Sequence, residues 1–434
     1  MPAKRQKKEE KPLWGTADAA IERALAKVRR GDRIITLFSS GPAQVAGDDG
    51  AIKLAEALLE RRKDPLNEGL VTLKVQGNGV GEEGSRNLAK ALEGIELKRL
   101  RTLDLSGNKI AEQGGSELGK AFHSGSCLQC LNLSGNSLGD RAAEALAQAM
   151  PKHPDLLEVH LEGNKIGEAG AKALAASVAR HRRLESFDIS GNPLGDGAGQ
   201  HFANALGQGC GLVTLRVSSA NLGNGSCSAI AARLNLQPNL RELWLNGNTI
   251  EDAGATDLAN AVEEHAQLRL LSLGHNKISD KGIMALVGVL VRLCKEDFTV
   301  NAVGNPARRF AESTLTNLSV AAKTARDISR RCITLEAVLK FWKDQLGVGM
   351  IKADESTTAD VVNTIIVPES ELHGTCYSEF FHCFHAEYYV VHAWKGLFGD
   401  LLRGLATHAS GFLLPSLDYF HEQYIRRPDS LTRR

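Results

Sequence analysis

The chain has 434 residues and a formal net charge of +1 at pH 7, with 52 Lys and Arg against 51 Asp and Glu. This length suffices for one large core and a smaller module. The balanced charge argues against a general polyanion binder, and the eight cysteines lack the spacing of a disulfide framework. No charged-then-apolar leader opens the chain, and the longest strongly apolar run, 283–291, is too short to span a membrane. We therefore expect a soluble protein of the cytoplasm, or of the nucleus if the basic run KRQKK is an import signal.

The amino-terminal part of the chain precedes the regular pattern. Residues 1–15 are highly charged and are predicted to form a disordered tail. Residues 16–69 predict a cap, in which an amphipathic helix over 16–31 is followed by a degenerate first repeat. Terminal units of a repeat array are atypical because they cover the end of the core.

Residues 70–312 come close to repeating one pattern eight times, L-x-x-L-x-L-x-G-N-x-I-G-x-x-G-x-x-x-L. Alternating leucines predict a short strand, and apolar residues four apart, such as Leu88 and Leu92, predict a helix about ten residues later. A strand–turn–helix unit can bury its apolar faces only by stacking on its neighbours. The sequence therefore predicts an α/β solenoid, a horseshoe with a parallel sheet on its concave side.

One asparagine closes most of the predicted strands, and most neighbouring asparagines are 28 residues apart. A side-chain amide can donate to and accept from backbone groups of adjacent units, so we assign these residues a structural role. In one unit Ala220 takes this position, which fits either local drift or a functional surface. The ladder asparagines are Asn78, Asn108, Asn136, Asn164, Asn192, Asn248, Asn276 and Asn305.

The pattern ends after Asn305. Residues 313–351 predict a helical cap, and residues 352–434 a separate aromatic- and histidine-rich module, α/β or irregular, with a strand candidate at Glu387–His392. The cysteines and histidines of this module, and the isolated Cys127-x-x-Cys130, lack the closed spacing of a zinc framework. The sequence therefore assigns no metal site.

The residue between the two leucines of each strand points into the predicted concave face. This column is polar and mixed in sign, without the basic stripe and aromatic ladder that nucleic acids require. Its exception is Arg216 beside Trp244, because Trp and Arg are enriched at binding hot spots. The pair is either a binding centre or an Arg–Trp stack that decorates the surface. The predicted protein-binding residues are Arg216, Trp244, Asp188, His160, Glu242, Glu158 and Asp104.

Over about residues 35–306 this motif resembles the ribonuclease-inhibitor type of leucine-rich repeat. That type occurs in ribonuclease inhibitors, Ran GTPase-activating proteins and the sensor regions of NOD-like receptors. The resemblance implies the fold and leaves inhibition, activation and sensing open. The segment from Glu387 resembles, more faintly, the first strand and helix of Toll/interleukin-receptor-type domains. Such a domain is longer than the segment that remains, so this likeness implies a truncated module.

Neither a P-loop nor an H-E-x-x-H motif occurs in the sequence. We therefore expect neither catalytic residues nor a cofactor. The leading interpretation is a non-catalytic scaffold or sensor that binds a protein partner on the concave face. The alternatives are a GTPase-activating protein for a Ran-like small GTPase, although no acidic tail follows the repeats, and more distantly a Toll-type signalling module. Neither nucleic acid nor membrane is an expected partner, and the oligomeric state stays open.

Overall fold

A computed structural model of the chain describes residues 17–37, 46–61, 63, 69–93, 99–122, 127–265, 267–293, 297–308, 312–320 and 322–323. The predicted tail, the module over 352–434 with its strand candidate, cysteines and histidines, and most of the cap over 313–351 lie outside these residues. Each helix and strand given below belongs to the first of the two units into which the chain divides, Met1–Ala321.

Ten strands of three residues form one parallel sheet in the described part of the chain, and their order in the sheet is their order in the sequence. The predicted α/β solenoid with a parallel sheet is thereby confirmed. The strands are β1 Ile34–Thr36, β2 Thr72–Lys74, β3 Thr102–Asp104, β4 Cys130–Asn132, β5 Glu158–His160, β6 Ser186–Asp188, β7 Thr214–Arg216, β8 Glu242–Trp244, β9 Leu270–Ser272 and β10 Thr299–Asn301.

The helices alternate with the strands, and consecutive helices from the first to the tenth pack against each other. None of the described helices has both the length and the apolar character needed to cross a bilayer. The helices are α1 Ala17–Arg29, α2 Gly47–Arg61, α3 Glu82–Leu92, α4 Ala111–Ala121, α5 Gly139–Ala149, α6 Glu168–Arg180, α7 Ala198–Gly207, α8 Asn224–Leu234, α9 Asp252–Glu264, α10 Asp280–Leu293 and α11 Glu312–Thr316, with a 3-10 turn at Met150–Lys152.

The core lies between the sheet and the helices. The central residue of every strand is at most 3% exposed, as the period-two pattern of each strand predicts. Leu88 and Leu92 of α3 are fully buried against it. Helices α4 and α5 approach closely: a Cβ on Gly119 of α4 would lie 2.8 Å from the main chain of Ala145 in α5. This position therefore requires glycine.

The ladder asparagines are all buried, and their amides join neighbouring units. Asn164 shows the arrangement: its Nδ2 donates to the carbonyl of Leu161 in its own unit and to that of Leu133 in the preceding one, both at 2.9 Å. Its Oδ1 accepts from the main-chain N–H of Asn136 at 2.8 Å. Each amide thus satisfies polar groups of two successive turns, which would otherwise be buried without partners.

The unit with Ala220 shows what the missing amide changes. Ala220 is fully buried, and the difference appears in the preceding unit. There the N–H of Leu194 donates to the main-chain carbonyl of Asn192 at 2.8 Å, whereas Ile166, one unit earlier, donates to the side chain of Asn192 at 3.0 Å. Helix α7 begins at Ala198, later in its unit than α6 does. The main chain therefore absorbs the irregularity by tightening one turn.

A second set of side chains links the units at the helix N-termini, where main-chain N–H groups lack partners within the helix. Each side chain of this set accepts two hydrogen bonds, 2.6–3.1 Å long, from main-chain N–H groups at the start of the following helix. For Asp196, burial raises the pKa, hydrogen bonds from Ser226 and Gly223 lower it, and the net pKa lies below the usual value. The residues of this set are Asp48, Asp140, Asp196, Asn224 and Asp252.

A third set lies beyond the helix C-termini and consists of buried rings and one amide. His153 Nε2 is 3.1 Å from the carbonyl oxygen of Phe122, and His181 Nε2 is 3.0 Å from that of His153. Gln237 makes the equivalent contact in a later unit, where its Nε2 donates to two main-chain carbonyls of the preceding unit at 2.7 and 3.0 Å. Burial is the main cause that lowers the pKa of His153 and of His181.

Replacing Asn164 by alanine should lower the free energy of unfolding by about 1–3 kcal/mol, because the buried N–H of Asn136 loses its acceptor. Urea unfolding of the full chain measures the change. The matched control is Asn204→Ala on the exposed side of α7, which should leave the midpoint nearly unchanged. Equal unfolding of Asn164→Ala and wild type would contradict the role given to the ladder.

Replacing His181 by glutamine should reduce the acid sensitivity of the fold. In the folded state the pKa of His181 is lowered, so below about pH 6.5 the unfolded chain binds more protons at this residue. Above that pH, His181 therefore does not reduce the free energy of unfolding. The free energy of unfolding declines as the pH falls toward the folded-state pKa of His181. Glutamine keeps the donor, as Gln237 does, and does not titrate.

The measurement is the change in unfolding free energy between about pH 7.5 and about pH 5.5. His181→Gln should show a smaller change than wild type, whereas the control Asn204→Ala, on the exposed side of α7, should show the wild-type change. An unaltered pH dependence in His181→Gln would mean that this ring is not responsible.

Candidate functional site

The parallel register brings the predicted column of outward residues into one row. The first and third residues of the strands lie on the side of the sheet that faces away from the buried central residue, and we call this side the sheet face. The row along β2 to β10 is Lys74, Asp104, Asn132, His160, Asp188, Arg216, Trp244, Ser272 and Asn301.

Several side chains of this row accept hydrogen bonds from the residue two positions later, at the end of their own strand. The Oδ1 atom of Asp104 accepts from the N–H and hydroxyl of Ser106 at 3.0 and 2.7 Å, and Asp104 is only 8% exposed. Asp188 accepts from the N–H of Ser190 at 3.0 Å, and Asn132 and Asn301 form the same two-residue contact. These side chains shape the turn after the strand. Of the predicted binding residues, Asp104 and Asp188 therefore have a local partner.

Arg216 and Trp244 form one cluster with Glu242 on β7 and β8. The guanidinium carbon of Arg216 lies 5.5 Å from the centroid of the Trp244 ring. The indole N–H of Trp244 donates to Glu242 Oε2 at 3.0 Å, and that oxygen is 3.5 Å from Arg216 Nη2. On the other side, Arg216 Nη1 is 3.4 Å from the hydroxyl of Ser186. We call Arg216, Glu242 and Trp244 the Arg–Trp cluster.

The Arg–Trp cluster is held in place before any ligand arrives. The indole hydrogen bond fixes the Trp244 ring, and the cation–π contact and the ion pair fix the guanidinium. About a third of each charged side chain stays exposed, 33% for Arg216 and 37% for Glu242. The sheet face thus presents a cation, a carboxylate and an aromatic surface side by side. Asp188 is in register with Arg216, and within the described residues no ion pair joins the two.

A second cluster occupies β4 and β5 and consists of Cys130, Glu158 and His160. His160 Nε2 lies 3.5 Å from Glu158 Oε2, and Cys130 is the cross-strand neighbour of Glu158. Burial, followed by the charge of Glu158 and a hydrogen bond to it, raises the pKa of the Cys130 thiol to about 11. At neutral pH the thiol is therefore protonated. Nothing in the spacing of the sequence signalled this cluster, since its members come from two units.

A cavity of about 730 Å³ lies at the amino-terminal ends of β5 to β8, and none of the predicted binding residues lines it. Two of its arginines already have partners: Arg182 donates to the carbonyl of Gly209 and Arg183 to Asp155. Its walls are Leu157, Arg182, Arg183, Glu185, Gly211, Val213, Pro238, Asn239, Arg241 and Gln267. We assign no binding role to this surface of mixed charge, and no sequence motif indicates it.

The leucine-rich-repeat family model, described as "Leucine Rich repeat", matches residues 98–119, 126–147, 152–175, 237–259 and 267–287. The family match and the ten-stranded parallel sheet make the described repeats a leucine-rich-repeat solenoid. No curated protein matches the chain.

The chain is also similar, at low identity, to three solved structures. A chain of the yeast Rad7–Elc1 complex is 16% identical over 71% of this chain and 87% of its own, with a TM-score of 0.41. The leiomodin-1 actin-binding site 2 is 12% identical over 48% and 96%, with a TM-score of 0.28. A chain of the TLR13–ssRNA13 complex is 18% identical over 61% and 32%, with a TM-score of 0.34.

Proposed function

We propose that this chain is a non-catalytic scaffold or sensor that binds a protein partner on its sheet face, with the Arg–Trp cluster at the centre of the contact. Leucine-rich-repeat solenoids commonly serve as extended binding surfaces. The observation that carries the proposal is the position of Trp244, which lies on the outward side of β8, partly buried beside Arg216 of the neighbouring strand. An ordered Trp and Arg on an open surface have the composition of a binding hot spot.

The cluster also indicates the chemistry of the partner. The Trp244 ring is held by its hydrogen bond to Glu242, so a partner that packs on it loses little side-chain entropy. The Arg216 guanidinium is partly exposed and offers further donors to a carboxylate or main-chain carbonyl. We infer a partner surface that places an apolar or aromatic side chain on the indole and an acceptor beside the guanidinium.

The finer parts of the proposal rest on the sequence. The 28-residue spacing and the strand–helix alternation support the ribonuclease-inhibitor type of repeat. The four described cysteines are free thiols, which supports a reducing compartment such as the cytoplasm.

Affinity capture from a cell lysate, with mass-spectrometric readout, tests the site. The full chain is compared with the double variant Arg216→Glu/Trp244→Ala and with Lys172→Glu, a charge reversal at an exposed position of α6. A partner that binds wild type and Lys172→Glu and is absent from the double variant supports the proposal. Partners that bind all three chains equally would contradict a site at the Arg–Trp cluster.

For a partner found in this way, Trp244→Ala should weaken binding by about 2 kcal/mol or more, because the truncation removes the apolar centre of the contact. Titration calorimetry measures the affinity, and thermal unfolding should stay close to wild type because Trp244 is only partly buried. An affinity equal to wild type would show that Trp244 is a surface decoration.

A further inference from the structure

We propose that Cys130, Glu158 and His160 form a binding site for a divalent cation of the zinc class on the sheet face. The site lies on β4 and β5, whereas the Arg–Trp cluster lies on β7 and β8. The two proposals therefore depend on different residues and can fail separately.

The register of two adjacent strands builds the site. Cys130 pairs with Glu158 across β4 and β5, and His160 follows Glu158 by two residues, so the three side chains share the sheet face. One ligand atom from each residue lies within 4.8 Å of the other two. In a tetrahedral zinc site, bonds of about 2.0–2.3 Å separate the ligand atoms by about 3.3–3.8 Å. Glu158 Oε2 and His160 Nε2 already have that separation, at 3.5 Å.

The remaining adjustment is small and lies in side chains that are free to make it. Glu158 is about half exposed, at 52%, and His160 is 27% exposed. Within the described residues, none of the three side chains hydrogen-bonds to a partner outside the cluster, whereas Asp104, Asn132 and Asp188 are engaged by their own turns. Rotation about side-chain bonds can close the triangle without moving the strands.

The donor set selects the class of cation. A thiolate, an imidazole nitrogen and a carboxylate oxygen together suit Zn²⁺ or Co²⁺, whereas Mg²⁺ and Ca²⁺ prefer oxygen alone. The metal would bind Cys130 as the thiolate, and the thiol proton would pass to solvent. Three protein ligands leave the fourth tetrahedral position open on the sheet face for water or for a ligand from outside the chain.

Cobalt is the probe that reports on the thiolate. We would titrate the full chain with Co²⁺ under a thiol-free reductant and record the thiolate-to-cobalt absorption, then repeat the titration with Cys130→Ala and with Cys127→Ala. Cys127 is exposed and lies three residues away, so it is the matched control. The other cysteines are common to all three chains, and the difference between their spectra isolates Cys130.

The intensity of the thiolate-to-cobalt absorption should fall in Cys130→Ala by the contribution of one thiolate ligand. It should stay unchanged in Cys127→Ala. Calorimetric titration with Zn²⁺ should show affinity reduced at least about tenfold in Glu158→Gln and in His160→Ala, since loss of even an outer partner of a metal ligand costs about 10- to 100-fold. The control is Glu168→Gln/His201→Ala, a Glu–His pair 3.8 Å apart on α6 and α7 that has no described cysteine in its cluster.

A cobalt spectrum unaffected by Cys130→Ala would overturn the proposal, as would a zinc affinity unaffected by both Glu158→Gln and His160→Ala. Thermal unfolding in the presence of a chelator verifies that each variant folds as wild type does. Arg216→Glu/Trp244→Ala should retain metal binding, so a failure of the protein-binding proposal would leave this one standing.

Discussion

The amide of the ladder asparagines is the interaction on which the rest of this structure depends. Strands of three residues make few hydrogen bonds of their own, and the turns after them would bury unpaired polar groups. Each amide meets this need in two units at once: Asn248, for example, reaches Val217 of the preceding unit and Leu245 of its own. It thereby fixes the register of neighbouring strands. That register in turn places the outward side chains in rows and creates both clusters on the sheet face.

Much of the fold is predictable from the sequence because its determinants are local and repeated. The alternating leucines, the asparagine and the helical spacing each recur within a unit of 28 residues, so the pattern alone indicates strand, turn and helix. The same alternation indicates which residues face outward, and it places Arg216 beside Trp244 on neighbouring strands. The identity of the fold and the composition of the sheet face follow from these regularities.

What the sequence leaves out are contacts whose partners the repeat does not specify. The alternation identifies Asp104 and His160 as equivalent outward residues, yet Asp104 turns back to Ser106 while His160 meets Glu158. The approach of Cys130 to Glu158 depends on cross-strand register, which no linear motif encodes. The sequence also does not show that His181 and Gln237 occupy equivalent positions, where each contacts a main-chain carbonyl of the preceding unit. An imidazole ring and an amide share only their N–H donor.

The direction of the asparagine bonds has a consequence for how an array of this kind can change in length. From Asn136 to Asn276 each amide reaches a carbonyl 31 residues back, so a change in one unit is felt in the unit before it, as the turn before α7 illustrates. Gain or loss of one whole unit would join an amide to an equivalent carbonyl and leave no polar group stranded. Gain or loss of part of a unit would break the connection on both sides of the junction. The solenoid can therefore lengthen or shorten only by whole units. The separation of its two surface clusters would change by a whole number of strands.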